Sequence, residues 1–295
     1  ASLVAPHARG GLPRPVADPR SIDGTGNNLG AWDWGAAGAP LLRISQTGSS
    51  TGAHYPDGGS GDVFRGGPGS AAIVANPRAV SNAVAGAPGS PPNALQMSGM
   101  VYQWGQFIDH DFTLVETNVA ETSLIAVAGG DLLAPGIPFS RSVFAPGTGT
   151  SAANPRQQVN SLTAYIDASH VYGSNAVREA ALRDSGGKLK TSAGALMPLN
   201  TFGLPNGSNP GQDPTQLFLA GDVRANEQFG LTAIHTLFVR EHNRLVDLLA
   251  AGNPSWTGDQ LYQTARKIVG AEMQVVTYNE FLPTVLGAAA PPAAA

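Results

Sequence analysis

One stretch near the end of the chain most narrows what it can fold into. Leu231, Ile234, Leu237 or Phe238, Leu245 and Leu248 recur at the three- and four-residue steps that line one side of an α-helix. The spacing predicts the strongest helix of the sequence, running to about Ala250, with Arg240, Glu241, Arg244 and Asp247 available to pair on its wet side. Gly252-Asn253-Pro254 ends it, because Gly and Asn favour the turn out of a helix and Pro cannot continue one. From Asp259 to about Tyr278, Leu261, Ala265, Ile268, Val269, Met273 and Val276 repeat the pattern and predict a second helix with that face inward. Met97, Met100, Val101, Trp104 and Ile108 predict a third over about 96 to 110, capped by Asn93 or Ser98. Gln103, Gln106 and His110 share another of its faces.

The rest lacks such periodicity. Residues 1–95 are rich in Gly, Pro, Ser, Ala and Asn, which predicts irregular backbone. Trp32, Trp34, Tyr55, Phe64 and the run Leu41-Leu42-Arg43-Ile44 are apolar anchors, so this segment is expected as an ordered arm packed on the core. Residues 118–160 read as loops with a short apolar patch at Leu124-Ile125-Ala126-Val127, and 184–215 as loops again. The expected class is mainly α with long loops and little β structure. The expected division is a loop-rich arm at 1–95, a helical domain at 96–287 and an Ala/Pro-rich tail at 288–295.

Loops of this extent need a polar surface, yet only 13% of the 295 residues are charged, so Gly, Ser, Asn, Gln and Pro must supply it. A net charge of -4 without a Lys/Arg cluster argues against nucleic acid as a partner. No apolar run approaches the ~20 residues that span a bilayer. The complete lack of cysteine excludes disulfides, thiolate haem ligation, Cys-bound zinc, iron-sulfur clusters and a cysteine nucleophile. The start at Ala1, without an initiator Met or signal peptide, is expected to reflect either natural processing or a trimmed expression form.

Three constellations could carry chemistry. His110 has Gln106 one turn before it and Asp109 and Asp111 beside it, so it is either a base oriented by hydrogen bonding or a structural histidine on a half-buried helix. Thr163, Tyr165, Asp167 and Ser169 alternate, so an extended or looped backbone would gather their oxygens on one side. Oxygen-only ligands suit a hard cation, above all calcium; the alternative is a half-buried strand. His235 and His242 share a helix face and could hold a metal, but packing and hydrogen bonding to neighbouring elements is the simpler account.

Together, Trp104-Gly105-Gln106-Phe107-Ile108-Asp109-His110-Asp111, the stretch Thr163 to Ser174, Gly221-Asp222-Val223-Arg224-Ala225-Asn226-Glu227 and His235 through Leu245 closely resemble the animal-type haem peroxidase family, part of the peroxidase-cyclooxygenase superfamily. The likeness continues through Ala265 to Ala271 and Tyr278 to Pro283, covering roughly residues 95–287. The absence of Cys is closer to bacterial members. The resemblance implies the family's helical fold, haem b and calcium as cofactors, hydrogen peroxide as substrate, and a small reducing partner such as halide, thiocyanate or an aromatic donor.

It also implies roles. His110 is expected as the distal histidine, taking a proton from peroxide and returning it to the departing oxygen. Arg224 is expected as the distal arginine, stabilising developing negative charge. Gln106 is expected to hold water or halide. Asp109 and Glu227 stand where members form ester links to haem. Gln228 stands where some carry a methionine that forms a third link, which is therefore not expected. Asp111, Thr163, Tyr165 through its backbone carbonyl, Asp167 and Ser169 match the calcium ligands. The family's proximal histidine lies downstream of the matched motifs and no residue here corresponds to it, so it is expected on a further segment or a second chain. A secreted, extracellular or periplasmic location is expected. Two competing readings are a fatty-acid dioxygenase of the same superfamily and a haem-free adhesive or structural module. Packing alone does not require His110, Arg224, Gln106, Asp109 and Glu227 together, which disfavours the second.

Overall fold

The computed structural model describes residues 18–41, 76–86, 89, 92–149, 156–208 and 211–291. In chain order they form α1 (Pro77–Ala85), α2 (Met100–Phe112), β1 (Thr117–Ala126), β2 (Gly136–Ser142), α3 (Ser169–Tyr172), α4 (Ala176–Leu182), α5 (Phe229–Gly252), α6 (Gly258–Val276) and α7 (Leu282–Leu286), with 3-10 and π turns between. The architecture is mainly helical, as the periodicity predicts. Two compact units divide it: one holds the described residues of Ala1–Ala39, Met97–Leu114 and Ser161–Ala295, the other those of Pro40–Gln96 and Val115–Asn160.

In the first unit α5 packs against α2, α3 and α6. Its start is fixed by the Gln228 side chain, which accepts the Gly230 amide at 2.7 Å. A reciprocal capping box starts α6: the Thr257 hydroxyl accepts the Gln260 amide at 3.2 Å while the Gln260 side chain accepts the Thr257 amide at 2.8 Å. Leu231, Ile234, Phe238 and Leu245 are buried as the spacing predicts, but Leu237 and Leu248 are 59% and 57% exposed. With neighbours on several sides, α5 instead buries His235, Val239, His242 and Val246, a face rotated away from Leu248. The face of α2 is rotated likewise. Met100 is 56% exposed, while Trp104, Phe107, Ile108, His110 and Asp111 are buried. Ser98 does lie at its start, accepting the Met100 amide at 3.3 Å.

Trp32 and Trp34 are 59% and 45% exposed, so neither is the buried anchor that the sequence suggests. Tyr55, Phe64 and Leu42-Arg43-Ile44 lie outside the described residues. The second unit corrects another expectation, because the stretch read as loop contains the antiparallel pair β1 and β2, with Leu124 opposite Pro138 and Ile125 opposite Ile137. The β-branched and apolar residues of β1 outweigh its polar ones, and the connection carries Gly130 at φ 89°, a conformation that glycine adopts without strain. Arg78 forks onto Asp131 at 2.7 and 2.9 Å to tie α1 to that connection.

His242 illustrates how the helical core treats its polar groups. Its Nε2 lies 3.0 Å from the Gly187 carbonyl, which only accepts, so Nε2 carries the proton and the bare Nδ1 accepts from the Tyr172 hydroxyl at 2.9 Å. This is the packing role expected for His242. Burial pushes its pKa down to about 4, with the Gly187 hydrogen bond opposing. Folding therefore favours the neutral ring: the stability it contributes is full above the unfolded value near 6.5 and is lost as pH falls towards about 4. Urea unfolding of wild type and His242→Gln should show an acid-side slope steeper in wild type by up to about 1.4 kcal/mol per pH unit. Parallel slopes between those pH values would rule this linkage out.

Candidate active site

Helix α2 brings its C-terminal turn against the segment that leads into α5. His110 is 4% exposed. Its Nε2 points toward the half-exposed Glu227 carboxylate, 3.9 Å away, and its buried Nδ1 lies 3.8 Å from Asp222. Both separations exceed hydrogen-bond length. Burial first, then the Arg224 charge, lowers the pKa of His110 to about 4 against an opposing pull from Asp222, so the ring is neutral at neutral pH. Gln106, one turn back, donates to Glu227 at 2.8 Å and accepts from Gln228 at 3.1 Å. Gln228 also donates to Gln103 at 2.6 Å while capping α5. The Arg224 guanidinium donates to the Thr113 carbonyl at 2.9 Å and reaches the His110 carbonyl at 3.5 Å. Asp109 is exposed on the adjoining part of α2. Partial shielding from water raises its carboxyl above the ordinary range, Arg224 pulls it back, and Asp222 adds to the rise. The structure thus gathers His110, Arg224, Gln106 and Glu227 within one network, with Asp109 beside it.

The second predicted set assembles around Asp111, the next residue of α2. The backbone of 161–168 is bent rather than extended, and α3 follows directly. Asp111 is fully buried and accepts the amides of Asp167 and Ala168 at 3.0 Å each. Its other oxygen meets the His170 ring at 2.8 Å. Ser169 donates its hydroxyl to the Asp111 carbonyl at 2.6 Å, and Thr163 donates to Asp167 at 3.0 Å. Asp167 keeps one carboxylate oxygen buried and without a partner. Burial and then the Asp111 charge raise its pKa to about 7, with Arg266 opposing. Two buried carboxylates with hydroxyls beside them are the donor chemistry of a hard cation, so these residues fit calcium. Among the described residues there is no group of three or more His, Cys, Asp or Glu able to hold a metal. The Tyr165 hydroxyl turns away to the Trp34 carbonyl.

The remaining described histidines lie in the core. His170 meets Asp111, His242 is taken by Tyr172 and Gly187, and His235 packs edge-on to Phe107 at 5.0 Å between ring centres. His7 and His54 lie outside the described residues.

Comparison with known proteins decides the family. The family model described as animal haem peroxidase matches residues 19–293. The chain belongs to the animal haem peroxidase family. Among its relatives in that family, the mouse peroxidasin homologue is 37% identical over 91% of this chain and 20% of the relative. Mouse myeloperoxidase is 35% identical over 92% of this chain and 42% of its own length. The chain therefore spans less than half the length of either relative. Peroxidase A from Dictyostelium discoideum superposes with a TM-score of 0.73 at 26% identity, covering 90% of this chain and 52% of that one. A fatty acid alpha-dioxygenase from Arabidopsis thaliana gives a TM-score of 0.72 at 20% identity over 95% of this chain, a likeness of fold alone. Membership implies haem. Its fit to this chain rests on the side of α2 where a neutral histidine, a guanidinium, an amide and two carboxylates meet. Sequence reasoning missed Asp222 and Thr113, which hold Arg224 in place; an Asp two residues before an Arg is the only signal it had for the first, and a backbone carbonyl leaves none.

Proposed function

We propose that the chain forms the distal part of a haem peroxidase that reduces hydrogen peroxide to water while oxidising halide, thiocyanate or a small aromatic donor. The observation that carries this reading is a buried His110, neutral at neutral pH, set beside the Arg224 guanidinium and Gln106. Haem b, when bound, supplies the iron and the redox equivalents of the reaction. His110 takes the proton of the incoming peroxide at Nε2 and returns it to the departing oxygen, which leaves as water. Arg224 offers a fixed positive charge where negative charge develops. Gln106, held by Glu227 and Gln228, positions water or halide.

Asp109 and Glu227 are the carboxylates available for ester links to haem. Gln228 is already committed to Gln103, Gln106 and the start of α5, in line with only two such links. In this reading the histidine that would hold the haem iron belongs to a further segment or a second chain, which the partial coverage of the relatives supports. A location outside the cytoplasm is part of the same reading. Among the described residues no helix is long and apolar enough to cross a membrane. The dioxygenase likeness brings no residue that favours lipid oxidation.

Haem titration of the purified protein, with every polypeptide in it identified by mass, should give a Soret band and peroxide-dependent oxidation of iodide. If the preparation holds only this chain and has neither property, the enzymatic reading fails for this molecule.

In the same proposal Asp111, Thr163, Asp167, Ser169 and the Tyr165 carbonyl hold calcium, which would take up the partnerless Asp167 oxygen. Calcium at a hundred times its dissociation constant should stabilise the fold by about 2.7 kcal/mol. A thermal unfolding curve that neither calcium nor a chelator moves would remove the ion from the account.

A further inference from the structure

Gly221-Asp222-Val223-Arg224 makes a tight turn whose acidic residue has no role in the reading above. Asp222 is 1% exposed, and its amide is anchored on the His170 carbonyl at 3.0 Å. One oxygen, Oδ1, accepts the Arg224 backbone amide at 2.8 Å and Nε at 2.9 Å; the other, Oδ2, accepts Nη2 at 2.8 Å. Nη2 is taken further by the Thr113 carbonyl at 2.9 Å. A guanidinium has only three nitrogens, and a two-pronged contact fixes both its position and its plane. Nη1 is thereby left as the one nitrogen of Arg224 without a partner among the described residues. The same Asp222 Oδ1 stands 3.8 Å from the buried Nδ1 of His110, on the ring edge away from Glu227.

We propose that Asp222 is the positioning residue of this site: its carboxylate clamps Nε and Nη2 so that Arg224 presents Nη1 alone to the ligand beside His110. The inference rests on the peroxidase reading for its catalytic meaning, but the clamp belongs to the chain itself. Asp222 does not touch the substrate. It occupies Nε–H and one N–H of Nη2, the Thr113 carbonyl takes the other, and the two N–H groups of Nη1 are left for the ligand.

The test has two arms, on wild type, Asp222→Asn, Asp222→Ala and Asp222→Glu. In the first, the haem-free chain is labelled with 15N-arginine and the exchange of each side-chain Nε–H with water is followed by NMR. Wild-type Arg224 should give a slowly exchanging signal. Asp222→Asn, which turns one acceptor into a donor facing the guanidinium, should let it exchange as fast as free arginine, and Asp222→Glu should restore part of the protection. Backbone exchange within α5 shows which variants are folded; if the alanine variant is not, the isosteric asparagine variant decides. A protected Arg224 signal in folded Asp222→Asn overturns the clamp.

In the second arm the haem-loaded proteins are compared. kcat/KM for peroxide should fall roughly ten- to a hundredfold in Asp222→Asn, as expected when a catalytic group is misplaced by about an ångström. The KM for the reducing donor should stay unchanged. An unaltered kcat/KM overturns the catalytic part of the proposal. If wild type neither binds haem nor consumes peroxide, the peroxidase reading and this catalytic part fail together, and the NMR arm still decides the clamp.

Discussion

Replacing His110 with alanine is expected to slow peroxide cleavage by at least ~100-fold in the haem-loaded protein, the usual loss when a general acid-base group disappears. The ring sits on the final turn of α2, and burial keeps it neutral at neutral pH, the state required to accept a proton. No neighbour can substitute. Glu227 lies beyond it and is tied to Gln106, while Arg224 carries a fixed positive charge and cannot act as a base. Stopped-flow absorbance of the haem band after peroxide is added measures the step directly. A variant that reacts within a few-fold of wild type would falsify the assignment of His110. His110→Gln should recover little, because an amide offers a hydrogen bond but does not carry a proton from one oxygen to another.

The second large effect concerns stability. Asp111→Ala should destabilise the fold by roughly 3–5 kcal/mol, the range for breaking a buried, hydrogen-bonded charge contact. Two terms oppose each other. Removing Asp111 relieves its repulsion of Asp167, which helps raise that carboxyl to about 7. Against this, the amides of Asp167 and Ala168 lose their acceptor in the interior, and the His170 ring loses its charged neighbour. Ala168 also holds φ 66°, a left-handed conformation unusual for a residue other than glycine, beside the amides that Asp111 pins. The lost acceptors outweigh the relieved repulsion, since each unsatisfied buried amide costs about 1–3 kcal/mol. Urea unfolding followed by tryptophan fluorescence gives the difference, and a loss below about 1 kcal/mol would contradict the account. Calcium should no longer stabilise this variant. Asp111→Asn, which keeps one acceptor oxygen, should fall between the two.

Sequence periodicity located α5, α6 and α2, because long helices packed on one side leave a regular apolar trace. It placed most of the buried face of α5, with Leu231, Ile234, Phe238 and Leu245 inward, and missed how far that face extends. Leu237 and Leu248 continue the stripe on paper, yet α5 touches α2, α3 and α6 at once and buries His235 and His242 in their place. The β hairpin stayed hidden because β1 alternates imperfectly, with Asn118, Glu121 and Thr122 interrupting its apolar residues, and its pairing shifts register between Thr117 and Thr122. The polar site was legible as a set of residue types in motif order, and the structure brings those types together. The clamp on Arg224 was not, because it depends on a turn of the main chain and on the Thr113 carbonyl, neither of which has a residue-type signature.

His110 and Asp111 are neighbours in sequence, yet one belongs to the polar pocket and the other to the buried oxygen cluster. Successive residues of an α-helix are rotated by about 100°, so the register of α2 sets both sites together. A slip of α2 by a single position would carry His110 away from Glu227 and Asp111 away from the Asp167 loop at once. Helix α2 is in this sense a key with two adjacent teeth: either site, once assembled, fixes the rotation that the other requires.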